Sequence, residues 1–586
     1  MVQSRTHSCN ELRVENIGEK VTLVGWYDNL RKVSKNLGFL ILRDFYGVTQ
    51  IVIETEEMMQ TVAAINNEST LCIEGVVRER SSKNAELATG DIEVVPEKVS
   101  VLGSCSYNAL PFEINRSTEA DENLRLKYRY LDLRNPRVKS RIVLRSKIVA
   151  ELRQRMTELD FLEITTPILT CSSPEGARDY LVPSRIHPGK FYALPQAPQQ
   201  FKQILMASGF DRYFQIAPCF RDEDARADRS PGEFYQLDME MAFATQEDVF
   251  SVIEQVLPPV FEKYGVYKTA STSPFQRIPY LEAMEKYGSD KPDLRIDLIV
   301  RDATECLADC GFAPFEGNTV KAVVVDRFQA TRKVIDKICN DVEVQSGNKA
   351  YWFRLDENME LVGGISKFVV DIKDKVVEAL GLKAGDFVGL TCGKKLKAQK
   401  TAGVLRNMLG ANCEAHMEKE CYKFCWIVDF PMYEIGEESG ELEFCHNPFS
   451  MPQGGMDALN SQEPTEILAY QYDLICNGVE LSSGAVRNHD PRIMVKAFEL
   501  IGLGEEAVKA KFPAMYNAFC YGAPPHAGIA PGVDRMVMLI AGEDSIKEVI
   551  PFPMNKSAMD VMMNAPAEVE QKQLDDVHIR IKKEEK

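Results

Sequence analysis

One stretch of alternating polar residues limits what this chain can fold into more than any other feature. Gln236, Asp238 and Glu240 occupy every second position after a charged segment, 220–230, that holds three arginines and four acids. Because successive side chains of a strand point to opposite faces, these three residues share one face, which either meets solvent or lines a polar site. The charged segment by itself is typical of a salt-bridged hairpin between two strands.

A second cluster, 472–489, places two acids among apolar and small residues. Asp473 and Glu480 precede Ser482-Ser483-Gly484, where small side chains let the backbone approach a ligand closely, and Arg487 follows. Two carboxylates that face an arginine suit magnesium, which prefers oxygen ligands and shares them with phosphates. An ordinary ion pair between strands explains the same residues, so the pattern leaves both interpretations open.

A third cluster, 522–539, leads through glycines and prolines into an apolar helix whose first turn carries Asp534 and Arg535. A guanidinium group is forked and always charged, so Arg535 is suited to hold a phosphate. A salt bridge at the helix start is the alternative. The chain contains no Walker loop, nucleophilic-serine elbow or dinucleotide-binding glycine pattern. A nucleotide site here would therefore hold phosphates with arginines and metal.

The chain is too long for one hydrophobic core, since 586 residues predict three or four domains. Residues 1–105 contain five short β-rich runs, with one helical stretch between the third and the fourth. This order is the plan of an OB-fold, a β-barrel that binds oligonucleotides on its open face. The predicted strands are 21–27, 39–43, 49–53, 71–77 and 92–102, and the predicted helix is 56–66.

The remaining residues divide into four segments. Residues 106–135 are predicted to be a linker, and a long helix with an apolar stripe from Leu144 to Leu159 follows it. Residues 136–297 and 419–586 carry the three clusters and are predicted to form one α+β domain with a C-terminal extension. Residues 298–418 lack such clusters and are predicted to be an inserted α/β domain. The chain is thus expected to have an α+β multidomain architecture.

Charge and cysteine content indicate the setting in which the protein works. The net charge of −18 argues against non-specific nucleic-acid binding, yet 124–148 holds nine basic residues against the single acid Asp132. Such a basic strip suits contact with a polyanion at one face, and a solvated helix face is the alternative. Fifteen scattered cysteines, no apolar run of about 18 residues and a polar start predict a reduced, cytoplasmic protein without membrane spans.

In this order, the three clusters resemble motif 2, the strand before motif 3, and motif 3 of the class II aminoacyl-tRNA synthetases, and 161–167 resembles motif 1. The similarity to the bacterial aspartyl-tRNA synthetases covers nearly the whole chain, including the inserted domain. The strings that carry it are YRYLDLR at 128–134, PEGARDYLVPSR at 174–185, FYALPQAPQQFKQILM at 191–206, YGSDKPDLR at 287–295 and YGAPPHAGIAPGVDR at 521–535.

The resemblance implies that aspartate and ATP give aspartyl-adenylate and pyrophosphate, and that the aspartyl group then passes to the terminal ribose of a tRNA. It also implies an antiparallel catalytic sheet with helices, Mg²⁺, and a homodimer built through motif 1. The residues it assigns to catalysis are Lys202, Arg221, Arg487 and Arg535. Those for ATP are Arg221, Asp222, Glu223, Phe234, Glu480, Gly532 and Arg535. Those for aspartate are Glu175, Gln199, Lys202, Gln236, Asp238, His446 and Arg487. Those for the metal are Asp473 and Glu480. Those for the anticodon are Arg31, Phe39, Gln50 and Glu93.

Several positions depart from the usual family pattern. Gly232 looks like an inserted residue in motif 2, Asn447 stands where a second histidine is common, and Pro531 interrupts the run into motif 3. Ser482-Ser483 replace glycines, and the loop 31–37 carries about one extra residue. These changes are interpreted as variation within a bacterial subgroup. Because the barrel loops are among them, the sequence does not decide whether the tRNA for asparagine is also a substrate.

Three alternatives explain less of the sequence. An asparaginyl-tRNA synthetase shares the architecture but lacks the inserted domain and YGSDKPDLR. An aspartate-activating paralogue that makes asparagine without tRNA would lack the barrel. A non-catalytic OB-fold RNA-binding protein would require none of Arg221, Asp473, Glu480, Arg487 and Arg535.

Overall fold

The computed structural model describes residues 4–172, 177–436 and 439–582, in two compact units, Met1–Arg116 and Ser117–Lys586. The first unit contains β1 (Lys20–Lys32), β2 (Gly38–Arg43), β3 (Val48–Ile53), α1 (Glu56–Ala63), β4 (Thr70–Glu79) and β5 (Ile92–Gly103). The strands close into a barrel in the order β1-β2-β3-β5-β4 around buried side chains such as Leu23, Leu40 and Ile73. The predicted OB-fold is confirmed, and every predicted strand lies within an observed one.

The second unit begins with helices. Its first part contains α2 (Glu122–Lys127), α3 (Arg129–Asp132), α4 (Pro136–Glu158), β6 (Leu162–Glu163), β7 (Leu181–Pro183), β8 (Phe191–Ala193), α5 (Gln199–Ala207), β9 (Arg212–Arg221), β10 (Gly232–Ala242), α6 (Gln246–Tyr264), β11 (Gln276–Pro279) and α7 (Tyr280–Tyr287). Helix α4 starts where the Asn135 side chain accepts from the backbone of Arg137, with Pro136 at the first helical position. Its apolar stripe buries Ile148, Leu152 and Met156.

The predicted inserted region contains both helices and strands. They are β12 (Val300–Asp302), α8 (Thr304–Leu307), β13 (Thr319–Val325), α9 (Arg332–Ser346), β14 (Ala350–Leu355), β15 (Leu361–Val362), α10 (Ser366–Val369), α11 (Lys373–Leu380), β16 (Phe387–Gly393) and α12 (Lys395–Ala411). The sheet order is β12-β13-β16-β14-β15, and all of its pairings are antiparallel. A core separate from that of the larger sheet lies on this sheet and includes Phe315, Phe353 and Leu390.

The last part of the chain returns to the larger sheet. It contains β17 (Phe424–Pro431), β18 (Tyr433–Ile435), β19 (Leu442–Phe444), α13 (Gly455–Ser461), β20 (Leu468–Cys476), β21 (Val479–Val486), α14 (Pro491–Leu500), α15 (Glu505–Lys511), α16 (Pro513–Cys520), β22 (His526–Ile529), α17 (Val533–Ala541) and α18 (Gln571–Asp576). Among the described residues, no helix is both long and apolar enough to cross a membrane.

The larger sheet has eight strands in the order β11-β17-β20-β21-β22-β10-β9-β6. Its six central strands are antiparallel, and the two edge strands β11 and β6 pair in parallel. Helices α4, α6 and α17 supply buried residues such as Ile148, Phe250 and Val537 to the core on one face. Strands from both sides of the inserted region therefore meet in one sheet, which brings the three sequence clusters together.

Several arginines of the basic strip 124–148 form ion pairs within the second unit. At least four of its nine cations pair with acids of that unit. The pairs are Arg125–Glu548, Arg129–Asp132, Arg141–Glu548 and Arg145–Asp534. Because these charges are neutralised internally, the interpretation of the strip as a polyanion-binding surface is wrong for these arginines.

Candidate active site

A cavity of about 350 Å³ lies where β10, β21, α5 and the start of α17 meet. One face of β10 contributes Phe234, Gln236 and Asp238 to the cavity wall. The other face places Leu237 and Met239 in the hydrophobic core, where both are completely buried. The polar face of the strand therefore lines a site, which resolves the alternative left open by its alternation.

Four charged side chains form a continuous ion-pair group, which we call the charged quartet: Lys202, Asp238, Glu240 and Arg487. The Lys202 Nζ atom lies 2.6 Å from Asp238 Oδ1 and 3.3 Å from Glu240 Oε2. Arg487 donates from Nε to Glu240 Oε1 at 2.8 Å and from Nη2 to Glu240 Oε2 at 3.2 Å. No side chain of the quartet is more than 2% exposed. Two positive and two negative charges balance, as burial of ionised groups requires.

Burial and charge act differently on the two acids of the quartet. Burial raises the pKa of Asp238 above its ordinary value, although the Lys202 ammonium opposes this. Burial also acts to raise the pKa of Glu240, but Arg487 and Lys202 outweigh it, so this pKa lies below its ordinary value. Glu240 therefore stays ionised at neutral pH and holds both cations in place.

Three buried donors at the cavity have no hydrogen-bond partner among the residues that the structure describes. They are Arg487 Nη1, Gln199 Nε2 and Arg221 Nε, and all three side chains line the cavity. A buried donor without a partner costs about 1–3 kcal/mol. Donors of this kind, two of them on guanidinium groups, indicate a ligand that presents carboxylate or phosphate oxygens.

Arg221 and Arg535 both place their guanidinium groups at the cavity wall. That of Arg221 lies over the ring of Phe234, 5.0 Å from the ring centre. Arg535 donates from Nη1 to the Glu480 carbonyl at 2.7 Å, and its Nη2 atom lies 3.3 Å from Asp228 Oδ2. Asp228 is 44% exposed, so its attraction for Arg535 is screened by water. The guanidinium groups of both arginines can therefore bind an anionic ligand.

The other residues predicted for nucleotide binding are not all at the cavity. Glu223 lines the cavity and lies 2.9 Å from Arg229. Gly532 also lines it and pairs its backbone with that of Gln236. Asp222 is absent from the cavity wall, and its carboxylate lies 3.6 Å from the exposed Arg178 instead. Its predicted contact with ATP through the side chain is therefore not supported by the geometry.

Asp473 and Glu480, which we call the acid pair, lie on the hairpin of β20 and β21. Asp473 is buried, whereas Glu480 lines the cavity. Burial, followed by the negative charge of Glu480, raises the pKa of Asp473 well above its ordinary value. No group of three or more metal-ligating side chains occurs among the described residues. Asp473 and Glu480, of which only Glu480 reaches the cavity wall, are the residues that could hold a Mg²⁺ ion together with oxygen ligands from water and phosphates.

His446 also lies at the cavity. Its ring packs edge-on against Phe430, with ring centres 4.8 Å apart. Burial lowers the pKa of His446, so the imidazole is neutral near pH 7. Glu175, the remaining residue predicted for aspartate binding, lies outside the described residues.

Gly232 has a conformation that explains why the extra residue in this strand is a glycine. Its φ of +85° lies in the region that side chains with a Cβ atom disfavour. In the ladder of β9 and β10 it pairs directly with Arg221. The turn that precedes β10 is therefore coupled to the position of this arginine.

The four residues predicted to read an anticodon form two pairs in the first unit. The Arg31 guanidinium lies 5.0 Å from the centre of the Phe39 ring. Gln50 Nε2 donates to Glu93 Oε2 at 2.9 Å, and both of these side chains are buried. Arg31 and the partly buried Phe39 are the pair that an unpaired base can reach without displacing an internal hydrogen bond.

Glu240 is the site residue that the sequence interpretation missed. It was placed on the polar face of β10, but no function was assigned to it. Its spacing of two from Asp238 was the available signal, because this spacing puts both carboxylates on one face. Its contact with Arg487 could not be read from the sequence, since the two residues are 247 positions apart.

Comparisons with known protein families match both units. The family model described as tRNA synthetases class II (D, K and N) matches residues 121–556, and that of the OB-fold nucleic acid binding domain matches residues 21–102. A Zymomonas mobilis protein named aspartate–tRNA(Asp/Asn) ligase is 52% identical over 98% of each chain. A Rickettsia prowazekii protein of the same name is 50% identical over 99% of this chain and 98% of its own. The aspartate–tRNA ligase of Streptomyces coelicolor is 50% identical over 100% and 99%, respectively.

Solved structures share the fold at lower identity. Asparaginyl-tRNA synthetase from Pyrococcus horikoshii is 18% identical, with a TM-score of 0.58 over 94% of this chain and 98% of that chain. Aspartyl-tRNA synthetase from Entamoeba histolytica is 19% identical, with a TM-score of 0.56 over 92% and 89%. At these identities the likeness shows the fold alone, and the amino acid must be argued from the site.

Proposed function

This chain belongs to the class II aspartyl-tRNA synthetases, and we propose that it activates L-aspartate with ATP and transfers the aspartyl group to tRNA. The observation that carries this proposal is the charged quartet, in which Arg487 Nη1 has no partner among the residues that the structure describes. Arg221 and Arg535, which are suited to bind phosphate, line the same cavity. An acid substrate and a polyphosphate fit this arrangement together.

In the proposed complex, Lys202 and Arg487 hold the side-chain carboxylate of aspartate. Gln199 and Asp238 hold its ammonium end, with Gln236 beside them and His446 covering the substrate. Asparagine is rejected because its neutral amide would leave the buried Nη1 donor of Arg487 without a charged acceptor. A site built to pair with a polar substrate group discriminates strongly against an analogue that lacks that group.

ATP is proposed to lie against Arg221, Phe234 and Arg535. Phe234 stacks on the adenine, Glu223 hydrogen-bonds to it, and Gly532 allows close approach of the backbone. Arg535 binds the far end of the triphosphate after exchanging Asp228 for phosphate oxygens. Asp222 is left out of this proposal, since it is absent from the cavity wall and its carboxylate lies near Arg178.

Mg²⁺, when bound, neutralises phosphate charge, and Asp473 and Glu480 are the residues that would hold it. The chain's own residues carry the remaining chemistry. The α-carboxylate of aspartate attacks the α-phosphorus of ATP and pyrophosphate leaves. Arg221 compensates the negative charge that develops on the phosphoryl oxygens, and the quartet fixes the attacking group in line. No protein nucleophile is needed, because alignment and charge compensation lower the barrier.

Replacement of Arg221 tests this proposal. We expect Arg221→Ala to reduce aspartate-dependent exchange of pyrophosphate into ATP about a hundredfold or more, by analogy with loss of one charge-stabilising donor. Arg178→Ala is the matched control, because this exposed arginine contacts Asp222 and lies outside the cavity wall. Exchange near the wild-type rate in Arg221→Ala would contradict the assignment.

We propose that the tRNAs for both aspartate and asparagine are substrates. The names of the relatives from Z. mobilis and R. prowazekii support this choice, whereas the similarly related S. coelicolor protein is named for aspartate alone. Arg31, Phe39, Gln50 and Glu93 are proposed to contact the anticodon. Charging assays with each purified tRNA test the proposal, and absence of aspartate on the asparagine tRNA would limit the enzyme to one tRNA.

We further propose that the protein is a cytoplasmic homodimer with the domain limits expected from its sequence: 1–105, 106–135, 136–297, 298–418 and 419–586. Fifteen free cysteines fit a reducing compartment. Around motif 1, Leu162, Ile168 and Leu169 are each about half exposed, at 56, 46 and 53%. Exposed apolar side chains this close together favour burial against a second copy. Sedimentation velocity tests the oligomeric state, and a monomer at micromolar concentration would contradict it.

A further inference from the structure

Lys291 places an ammonium group at the acid pair. Its Nζ atom lies 3.2 Å from Glu480 Oε2 and 2.8 Å from Asp290 Oδ2. A lysine side chain is ordinarily protonated at neutral pH, so both contacts are ion pairs. Lys291 belongs to the string YGSDKPDLR, which has no role in the contacts proposed above.

The inserted region holds the segment that carries Lys291. Arg406, on α12, is completely buried and donates to the carbonyl groups of Asp293 at 3.0 Å, Ile296 at 2.6 Å and Leu298 at 2.6 Å. Its guanidinium also lies 5.0 Å from the centre of the Tyr287 ring. These contacts bracket Lys291 in the chain, so they restrain the backbone on both sides of it.

A close crossing of two backbones adds to this restraint. Helix α7 ends at Gly288, which has a φ of +65°. A Cβ atom at Gly288 would overlap with the backbone of Gln399 and Gly403 on α12. The start of the YGSDKPDLR segment therefore packs in close contact with the inserted region. A larger residue at Gly288 would displace this segment.

We propose that Lys291 is a resident counter-cation of the acid pair, positioned by the inserted region, which disfavours a free divalent cation and lets the metal enter with the nucleotide. The physical reason is electrostatic. An ammonium beside Glu480 neutralises part of the charge that would attract a metal ion and repels that ion at short range. The phosphates of ATP supply the missing negative charge when metal and nucleotide arrive together. This inference rests on the proposed assignment of the acid pair as metal ligands.

Binding of Mn²⁺ alone to the full-length protein tests the role of Lys291. We expect Lys291→Met to bind Mn²⁺ at least about tenfold more tightly than the wild type, as measured by electron paramagnetic resonance of free Mn²⁺. Lys291→Arg keeps the charge and should stay near the wild type. Lys286→Met is the matched control, because this lysine pairs with Glu282 on the outer surface of α7. Unchanged or weaker Mn²⁺ binding in Lys291→Met would overturn the proposal.

Measuring Mn²⁺ binding in the presence of nucleotide distinguishes this role of Lys291 from that of a simple salt bridge. With a non-hydrolysable ATP analogue present, the affinity difference between Lys291→Met and the wild type should shrink, since the analogue supplies negative charge. A difference that stays the same would overturn the coupling to nucleotide. Glu480→Gln tests where the Mn²⁺ ion binds. If this variant binds Mn²⁺ as the wild type does, the assignment of the acid pair as metal ligands fails. If Glu480→Gln loses Mn²⁺ binding but Lys291→Met has no effect, the metal assignment stands and only the role of Lys291 is refuted.

The part assigned to the inserted region is tested by Arg406→Lys. This variant keeps a buried positive charge but cannot reach all three carbonyl groups. We expect its Mn²⁺ affinity to rise towards that of Lys291→Met, while its circular dichroism spectrum stays like that of the wild type. A folded variant with wild-type Mn²⁺ affinity would contradict positioning by Arg406.

Discussion

At the residue scale, the charged quartet shows how a site can be buried and still select a charged substrate. Glu240 accepts hydrogen bonds from Arg487 and lies near Lys202, so it positions both cations and leaves a donor for a ligand. The remaining Nη1 donor of Arg487 has no partner among the described residues. Balanced charges stabilise the buried quartet, and the Nη1 donor adds specificity when a carboxylate binds.

Asp238→Asn should weaken aspartate binding selectively. We expect the KM for aspartate in pyrophosphate exchange to rise about 10–100-fold, because a hydrogen bond to a charged group contributes about 1.5–3 kcal/mol. The KM for ATP should change little, since Arg221, Phe234 and Arg535 are untouched. Asp211→Asn, at an exposed aspartate just before β9, is the control. Equal changes in both KM values would indicate collapse of the quartet rather than loss of an ammonium contact.

Gly232→Ala should lower both stability and activity. A positive φ at a residue with a Cβ atom costs about 1 kcal/mol, and here the new atom would also lie 3.2 Å from Met554. Gly209→Ala has a similar φ of +90° but open space around the Cβ atom. We expect urea unfolding to show a loss in both variants, and pyrophosphate exchange to fall only in Gly232→Ala. Equal exchange rates would contradict the coupling of Gly232 to Arg221.

At the element scale, Glu548 connects elements that are far apart in the chain. It accepts from Arg125 on α2 at 2.9 Å and from Arg141 on α4 at 2.8 Å. It belongs to the short 3₁₀ helix Ile546–Val549, which follows α17 in the chain and packs against α17 and α4. The arginines of the basic strip are thus structural, and they join the start and the end of the second unit.

Glu548→Gln should destabilise the second unit in a pH-dependent way. Burial acts to raise the pKa of Glu548, but Arg125 and Arg141 outweigh it and hold this pKa below its ordinary value of 4.5. The stabilisation by the carboxylate is therefore complete above pH 4.5 and is lost as the pH falls through the folded-state pKa. We expect a loss of about 1–3 kcal/mol at pH 7, measured by urea unfolding.

The same measurement at lower pH gives the check. As the pH falls from 4.5 through the lowered folded-state pKa, Glu548 becomes protonated and resembles glutamine, so the difference in free energy of unfolding between the variant and the wild type should narrow. Glu506→Gln, at a glutamate that is 91% exposed, should change the free energy of unfolding by less than about 0.5 kcal/mol. A difference that grows as the pH falls would contradict the role of the Glu548 carboxylate.

At the scale of the whole molecule, the two units have separate cores. The barrel is filled by its own residues, such as Leu23 and Ile73, and the large sheet by others, such as Trp426 and Tyr472. Separate cores allow a change on the barrel surface to leave the active-site cavity intact. Activation of aspartate and recognition of the anticodon can therefore be disturbed independently.

Phe39→Ala should impair tRNA charging without changing pyrophosphate exchange. Stacking of a base on an aromatic ring contributes about 1–3 kcal/mol, so the KM for tRNA should rise about 10–100-fold. Phe45→Ala is the control, because Phe45 is an exposed aromatic residue of the same barrel. An unchanged KM for tRNA would contradict the proposed contact, and a slower exchange reaction would show damage beyond the barrel.

The sequence by itself determined the barrel, the long helix α4 and the polar face of β10, because alternation and helical spacing are local patterns. It also supplied most of the candidate site residues, through motifs in which Arg221, Asp473, Arg487 and Arg535 stand in order. Only the tertiary structure decided which charges are paired. In the fold, Asp222 pairs with Arg178 instead of lining the cavity, and Glu240 pairs with Arg487. Glu548 pairs with Arg125 and Arg141, and Lys291 lies beside Glu480. Ion pairs depend on distances across the fold, and no spacing along the chain specifies those distances.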